Sequence, residues 1–89
     1  MFDFDLSDEL REWVRSSKDK ALVERVKKKI GEIVSRDEET IDGYKNLRKP
    51  LEEFKRVHIG NFVLTFRVYK EKRFVFFHSL RHHDEAYRL

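Results

Sequence analysis

A chain of 89 residues with 42% charged side chains, one proline and no cysteine has room for a modest core, which neither a disulfide nor a thiolate zinc site can staple. No apolar run approaches the length of a membrane span, and Met1-Phe-Asp-Phe-Asp lacks the basic start of a signal peptide, so a cytoplasmic location without a membrane partner is expected. The net charge of +3 conceals a division: residues 1–43 carry nine Lys/Arg against twelve Asp/Glu, whereas residues 44–89 carry eleven against five, together with all four histidines. A basic half of this kind points to a polyanion, most often nucleic acid.

In chain order, Phe2, Phe4 and Leu6 alternate with Asp3 and Asp5, the period of a half-buried strand. Ser7 then fits a helix N-cap, with Asp8 and Glu9 in the first turn of a short helix that carries Leu10, Trp13 and Val14 on one side. Residues Ser16 to Asp19 break it. A longer helix follows to about Ser35, with Leu22, Val23, Val26, Ile30, Ile33 and Val34 as its apolar stripe and Lys27, Lys28 and Lys29 on its solvated side. The segment Arg36 to Asn46 is polar, contains Gly43 and is expected to be a connection.

From Phe54 the period changes to that of strands. Val57 and Ile59 alternate with Arg56 and His58, Gly60-Asn61 forms a tight turn, and Phe62, Leu64, Phe66 and Val68 share a face opposite Val63, Thr65, Arg67 and Tyr69. Lys70 to Lys72 forms a second turn. Phe74 to Leu80 is apolar on both faces as far as His78, as in a more central strand, and a core or interface role is expected for His78 because it shares parity with Phe74 and Phe76. The expected class is α+β: an N-terminal strand, a two-helix layer, and a three-stranded antiparallel region completing one sheet with one open basic face, all in a single domain over residues 1–89.

The basic strands and the tail hold the side chains that proton transfer on RNA needs. The neighbouring 2′-hydroxyl attacks, a base takes its proton, an acid protonates the departing 5′-oxygen, and cations offset the phosphorane charge. Histidine titrates near neutrality and serves either proton role, while arginine presents a planar fork to phosphate oxygens. A metal reading of His78, His82, His83 and Asp84 is disfavoured, because adjacent histidines on extended backbone point opposite ways; no metal and no other cofactor is expected.

The opening Phe-Asp-Phe-Asp-Leu-Ser, then Leu47-Arg-Lys-Pro-Leu51, Phe54-Lys-Arg-Val-His-Ile-Gly-Asn-Phe62 and His82-His-Asp-Glu-Ala-Tyr87, in this order and spacing, resemble the RelE/ParE toxin family of type II toxin–antitoxin modules over nearly the whole chain. The resemblance implies a toxin that cuts mRNA in the ribosomal A site without metal, held inactive by a cognate antitoxin, with the ribosome and mRNA as its other partners. It also implies the site. Arg56 and His58 match a basic-x-basic pair, Arg81 and His83 stand six and four residues before a terminal aromatic, and Tyr87 is that aromatic. Arg48, Lys49, Lys55 and Arg67 are the candidate substrate contacts around them. After the Gly-Asp-Tyr equivalent the family usually has arginine. Here it is Val63, with Arg67 four residues on as the cation that could take its place.

Two other activities stay open at this point: a ParE-type toxin that inhibits gyrase, and a relative that binds RNA or antitoxin without cutting. The helix pair, with Leu10, Trp13, Leu22 and Val26, is the expected antitoxin face.

Overall fold

The computed structural model describes residues 1–86. Five strands, β1 (Asp3–Leu6), β2 (Lys45–Asn46), β3 (Lys55–Ile59), β4 (Phe62–Tyr69) and β5 (Phe74–His82), form one sheet in the order β1-β5-β4-β3-β2. Helices α1 (Asp8–Ser16) and α2 (Lys20–Val34) lie between β1 and β2, and a short α3 (His83–Ala86) follows β5. The neighbouring pairs from β2 to β5 are antiparallel, whereas β1 runs parallel to β5, the connection from one to the other passing through both helices and three strands. This is the expected α+β class. The addition is β2, two residues in the segment expected to be a plain connection, recruited by pairing Lys45 with Arg56 and Asn46 with Lys55.

Local chemistry sets the helix bounds. The Ser7 hydroxyl accepts from the Leu10 N–H at 3.1 Å and caps α1, while the Asp19 carboxylate accepts from the Leu22 N–H at 3.1 Å and caps α2. Each cap satisfies an amide that the helix itself leaves without a partner. The α2 stripe from Leu22 to Val34 is buried along its length, and Lys27 and Lys28 stand in solvent as their positions on the helix require.

One face of the sheet is the core face. Val57, Ile59, Phe62, Leu64, Phe66, Val68, Val75, Phe77 and Leu80 pack there with Phe2, Leu10 and the α2 stripe. Phe66 and Phe77 stack at 5.7 Å between ring centroids, and Tyr44 meets Phe66 edge-on at 5.5 Å. Leu10, Leu22 and Val26 are consumed by this core, which leaves only Trp13 of the expected antitoxin set partly exposed. The basis for placing an antitoxin on the helix pair is thereby removed: a small domain needs those side chains for its own stability.

The loops are pinned by charge. Lys70, in the β4–β5 turn, is hydrogen-bonded to Asp42 before β2, and this contact holds the Asp42 carboxyl below the usual carboxylate range. The Leu6 N–H, and after it the Arg11 guanidinium, do the same for Asp5 at the end of β1.

Candidate nucleic-acid interface

The second face of the sheet, which neither α1 nor α2 covers, is built by strand alternation from Phe54, Arg56 and His58 on the β3 side and Val63, Thr65, Arg67 and Tyr69 on β4. On β5 the alternation is interrupted. Thr65 pairs with Ser79 but the next β4 residue, Phe66, pairs with Phe77, so His78 is an extra residue in the ladder. Such a bulge leaves two residues opposing one and re-aims the side chains beyond it. Strict alternation from Val75 and Phe77, both in the core, would have sent Arg81 into the core as well. The bulge turns Leu80 inward against Leu64 and places Arg81 on the second face, opposite Val63.

The site then follows from register. His58 pairs with Val63, and Val63 pairs with Arg81, so the three lie in one row across β3, β4 and β5. Two strand spacings put the outer residues about 9–10 Å apart. In the next row Arg56 pairs with Thr65 and Thr65 with Ser79. Arg56 Nη1 lies 3.3 Å from His58 Nε2, which confirms that the basic-x-basic pair shares a face. The floor between the cations is uncharged: Val63 is 0% exposed, and the buried Thr65 and Ser79 hydroxyls bond each other at 2.6 Å. Beyond Phe77, β1 no longer flanks β5, and Arg81 Nη2 reaches Glu9 of α1 at 3.6 Å while its Nε is buried without a hydrogen-bond partner.

The tail closes this end of the face. The His83 N–H donates to Asn61 O at 2.9 Å, anchoring the start of α3 on the β3–β4 turn just beyond His58. His83 is exposed, whereas His82 continues the core-side parity of Leu80 and sets its ring edge-on to Phe62 at 5.7 Å. Arg56, His58, Arg81 and His83 are thus gathered at one end of the sheet. Tyr87 lies outside the described residues.

The remaining candidates are not part of this cluster. Arg48 and Lys49 are exposed in the β2–β3 loop, at the opposite end of β3 from the Gly60 turn. Arg67 is four residues along β4 from Val63, about 13 Å away. It is engaged with Glu53 at 3.2 Å and with the Tyr69 ring at 4.9 Å, so it does not fill the place beside Val63. Lys55 has the parity of Val57 and Ile59. It is 8% exposed, and its ammonium is held by Tyr44 O and Asn46 Oδ1, both at 3.2 Å.

His78 corrects the core half of the expectation of a core or interface role. It is exposed on the second face, stacked near Phe54 at 5.3 Å and Phe76 at 6.4 Å, because Phe74 and Phe76 belong to that face and not to the core. The Ser79–Thr65 hydroxyl pair had no signal in the sequence, since the bulge that brings Ser79 over Thr65 is defined only against β4.

Val63 is the floor of the row and not a free contact point. Val63→Arg is expected to destabilise the fold by about 1–3 kcal/mol, through overpacking and a poorly solvated charge, without tighter RNA binding. Urea unfolding and filter binding of the same variant measure both.

No family model matches the chain. It is 45% identical over 71 residues to the "Putative toxin RelE4" of Methanocaldococcus jannaschii, covering 75% of this chain and 76% of that protein. It is 37% identical over 75 residues to an uncharacterized protein of Methanosarcina mazei, covering 80% and 87%. The fold matches the isolated E. coli RelE toxin with a TM-score of 0.68 at 22% identity, over 99% of this chain and 97% of that one. It matches the intact E. coli RelBE toxin–antitoxin complex with a TM-score of 0.67 at 21% identity, over 92% and 96%. A sequence kinship of 45% identity over about three quarters of both chains, together with a matching fold, leads to one assignment: the chain belongs to the RelE toxin family.

Proposed function

We propose that this protein is the toxin of a toxin–antitoxin module and cleaves mRNA on the ribosome without metal assistance. The observation that carries this reading is the gathering of Arg56, His58, Arg81 and His83 around the uncharged floor of Val63, Thr65 and Ser79 at one end of the sheet face. Arg56 and Arg81 flank a floor over which a phosphodiester can lie, and charge-assisted bonds from guanidinium to phosphate are the strong kind. The 2′-oxygen attacks phosphorus and loses its proton to a base. The P–O5′ bond breaks and the 5′-oxygen takes a proton from an acid, leaving a 2′,3′-cyclic phosphate. His83 and His58 are the imidazoles proposed for these two transfers, and Arg48 and Lys49 would meet the RNA backbone further along. Tyr87 is proposed to stack on a base. E. coli RelE has been solved in complex with its antitoxin RelB, and a cognate antitoxin with acidic segments complementary to the basic strands is proposed here.

A second reading has one observation in its favour. Val63 puts an uncharged, fully buried side chain at the centre of the row, so the floor offers a phosphate no cation of its own, and a binding module that no longer cuts would tolerate this.

The test is one assay on programmed ribosomes with chelator present. A defined A-site cut with a cyclic or 3′-phosphate end, suppressed by the product of the neighbouring reading frame, is the expected result. Bound but intact message at stoichiometric protein would favour the binding module. Intact message with accumulating gyrase cleavage complexes would favour gyrase inhibition.

A further inference from the structure

The expectation that the tail histidines diverge rested on extended backbone, and the backbone is not extended there. Strand β5 ends at His82 and α3 begins at His83, so the chain turns between the two imidazoles. Their ring centroids are 5.4 Å apart, and Asp84 reaches back to both. One Asp84 oxygen is 3.6 Å from His82 Nδ1 and the other is 3.4 Å from His83 Nε2. One ligand atom from each of the three residues fits within a span of 4.8 Å. Zinc bonds of 2.0–2.2 Å to nitrogen and oxygen place tetrahedral ligand atoms about 3.3 Å apart, so small rotations of the exposed His83 and Asp84 toward the half-buried His82 complete the set.

We propose that His82, His83 and Asp84 form a surface site for a divalent transition-metal ion of the zinc class, and that an ion bound there withdraws His83 from RNA cleavage. Two imidazoles and a carboxylate suit zinc, copper or nickel and discriminate against magnesium and calcium, which take oxygen ligands. Three protein ligands in solvent leave the remaining coordination to water. His82 is steadied for the role by the Phe62 ring beside it. The Asp84 N–H that now donates to His82 Nδ1 does so at 3.3 Å, a long bond that a metal at that nitrogen readily replaces. The inhibitory half of the proposal rests on the proposed role of His83. The binding half does not.

Calorimetric titration of the full chain, freed of metal with chelator, with Zn²⁺ alone tests the binding. Co²⁺ provides a visible spectrum that reports nitrogen and oxygen ligation. One equivalent is expected, weakened roughly 10–100-fold or more by His82→Ala and by Asp84→Asn, since loss of even an outer partner costs that much. His78→Ala, outside the cluster, should bind as the parent does. Zn²⁺ should then suppress single-turnover cleavage of message by the parent and not by His82→Ala, whose basal rate should be close to the parent's. Absence of Zn²⁺ binding, or equal binding by all the variants, would overturn the site. Binding without suppression would overturn the inhibitory half. A protein that binds Zn²⁺ through these residues and never cuts message would leave the site standing and overturn the cleavage reading.

Discussion

His83→Ala is expected to slow the single-turnover step of mRNA cleavage roughly 10²–10⁴-fold, the usual worth of general acid–base catalysis. His82→Ala should change it little. The two residues are adjacent, so each variant removes one imidazole from the same turn, and the difference between them reports on the proton-transfer role in variants shown to be folded, His82 being the one that also packs on Phe62 and accepts from the Asp84 N–H. Structure supplies the reason for the asymmetry. His82 ends β5 on the core side against Phe62, whereas His83 is exposed and tied through its amide to Asn61 at the turn that follows His58. Quench-flow cleavage on programmed ribosomes in the presence of chelator, with folding verified by circular dichroism, measures the step directly. Equal, small losses from both substitutions would remove His83 from the mechanism.

Arg56→Ala combined with Arg81→Ala is expected to lower cleavage by roughly 10²–10⁴-fold, since each guanidinium contact to a charged phosphate is worth about 1.5–3 kcal/mol. The two cations flank one floor from opposite strands and would share one phosphodiester, so the double variant should depart from the product of the single effects. Arg81 has a further distinguishing property. It is paired with Glu9 at 3.6 Å, and RNA must compete with that carboxylate. Glu9→Gln should therefore tighten RNA binding modestly when Arg81 is present and do nothing when it is alanine. Fluorescence anisotropy with a non-cleavable 2′-deoxy analogue separates binding from the chemical step. A fully additive double variant with unchanged salt dependence of binding would show that Arg56 and Arg81 do not meet a common phosphate.

Much of this molecule follows from local periodicity. The two-residue alternation of Phe62 to Val68 assigns the core face of β4, and the same rule joins Arg56 to His58 on the opposite side. The stripe from Leu22 to Val34 assigns the inner side of α2, and Ser7 marks where α1 begins. Each of these depends only on a residue and its near neighbours along the chain, and local backbone geometry suffices to place their side chains.

Other features depend on a partner element, and the chain alone could not supply them. The extra residue at His78 exists only by comparison with β4, yet it moves Arg81 from the core face to the row with Val63 and His58. The pairing of Lys45 and Asn46 with β3 turns a polar connection into a fifth strand. Lys55, one residue from Arg56 and equally basic, is removed from the site because its parity carries the ammonium to Tyr44 and Asn46. Leu10, Leu22 and Val26 are apolar whether they serve a core or a partner, and only their packing under the sheet decides for the core. His82, His83 and Asp84 converge because a strand ends and a helix begins between them. The sequence by itself determined the order of β1, α1, α2, β3, β4 and β5, the inner faces of α2 and β4, and the basic character of the second half, because these are local properties. Tertiary structure decided which cations lie at the same end of the second face, because register, bulges and turns are set by contacts between elements.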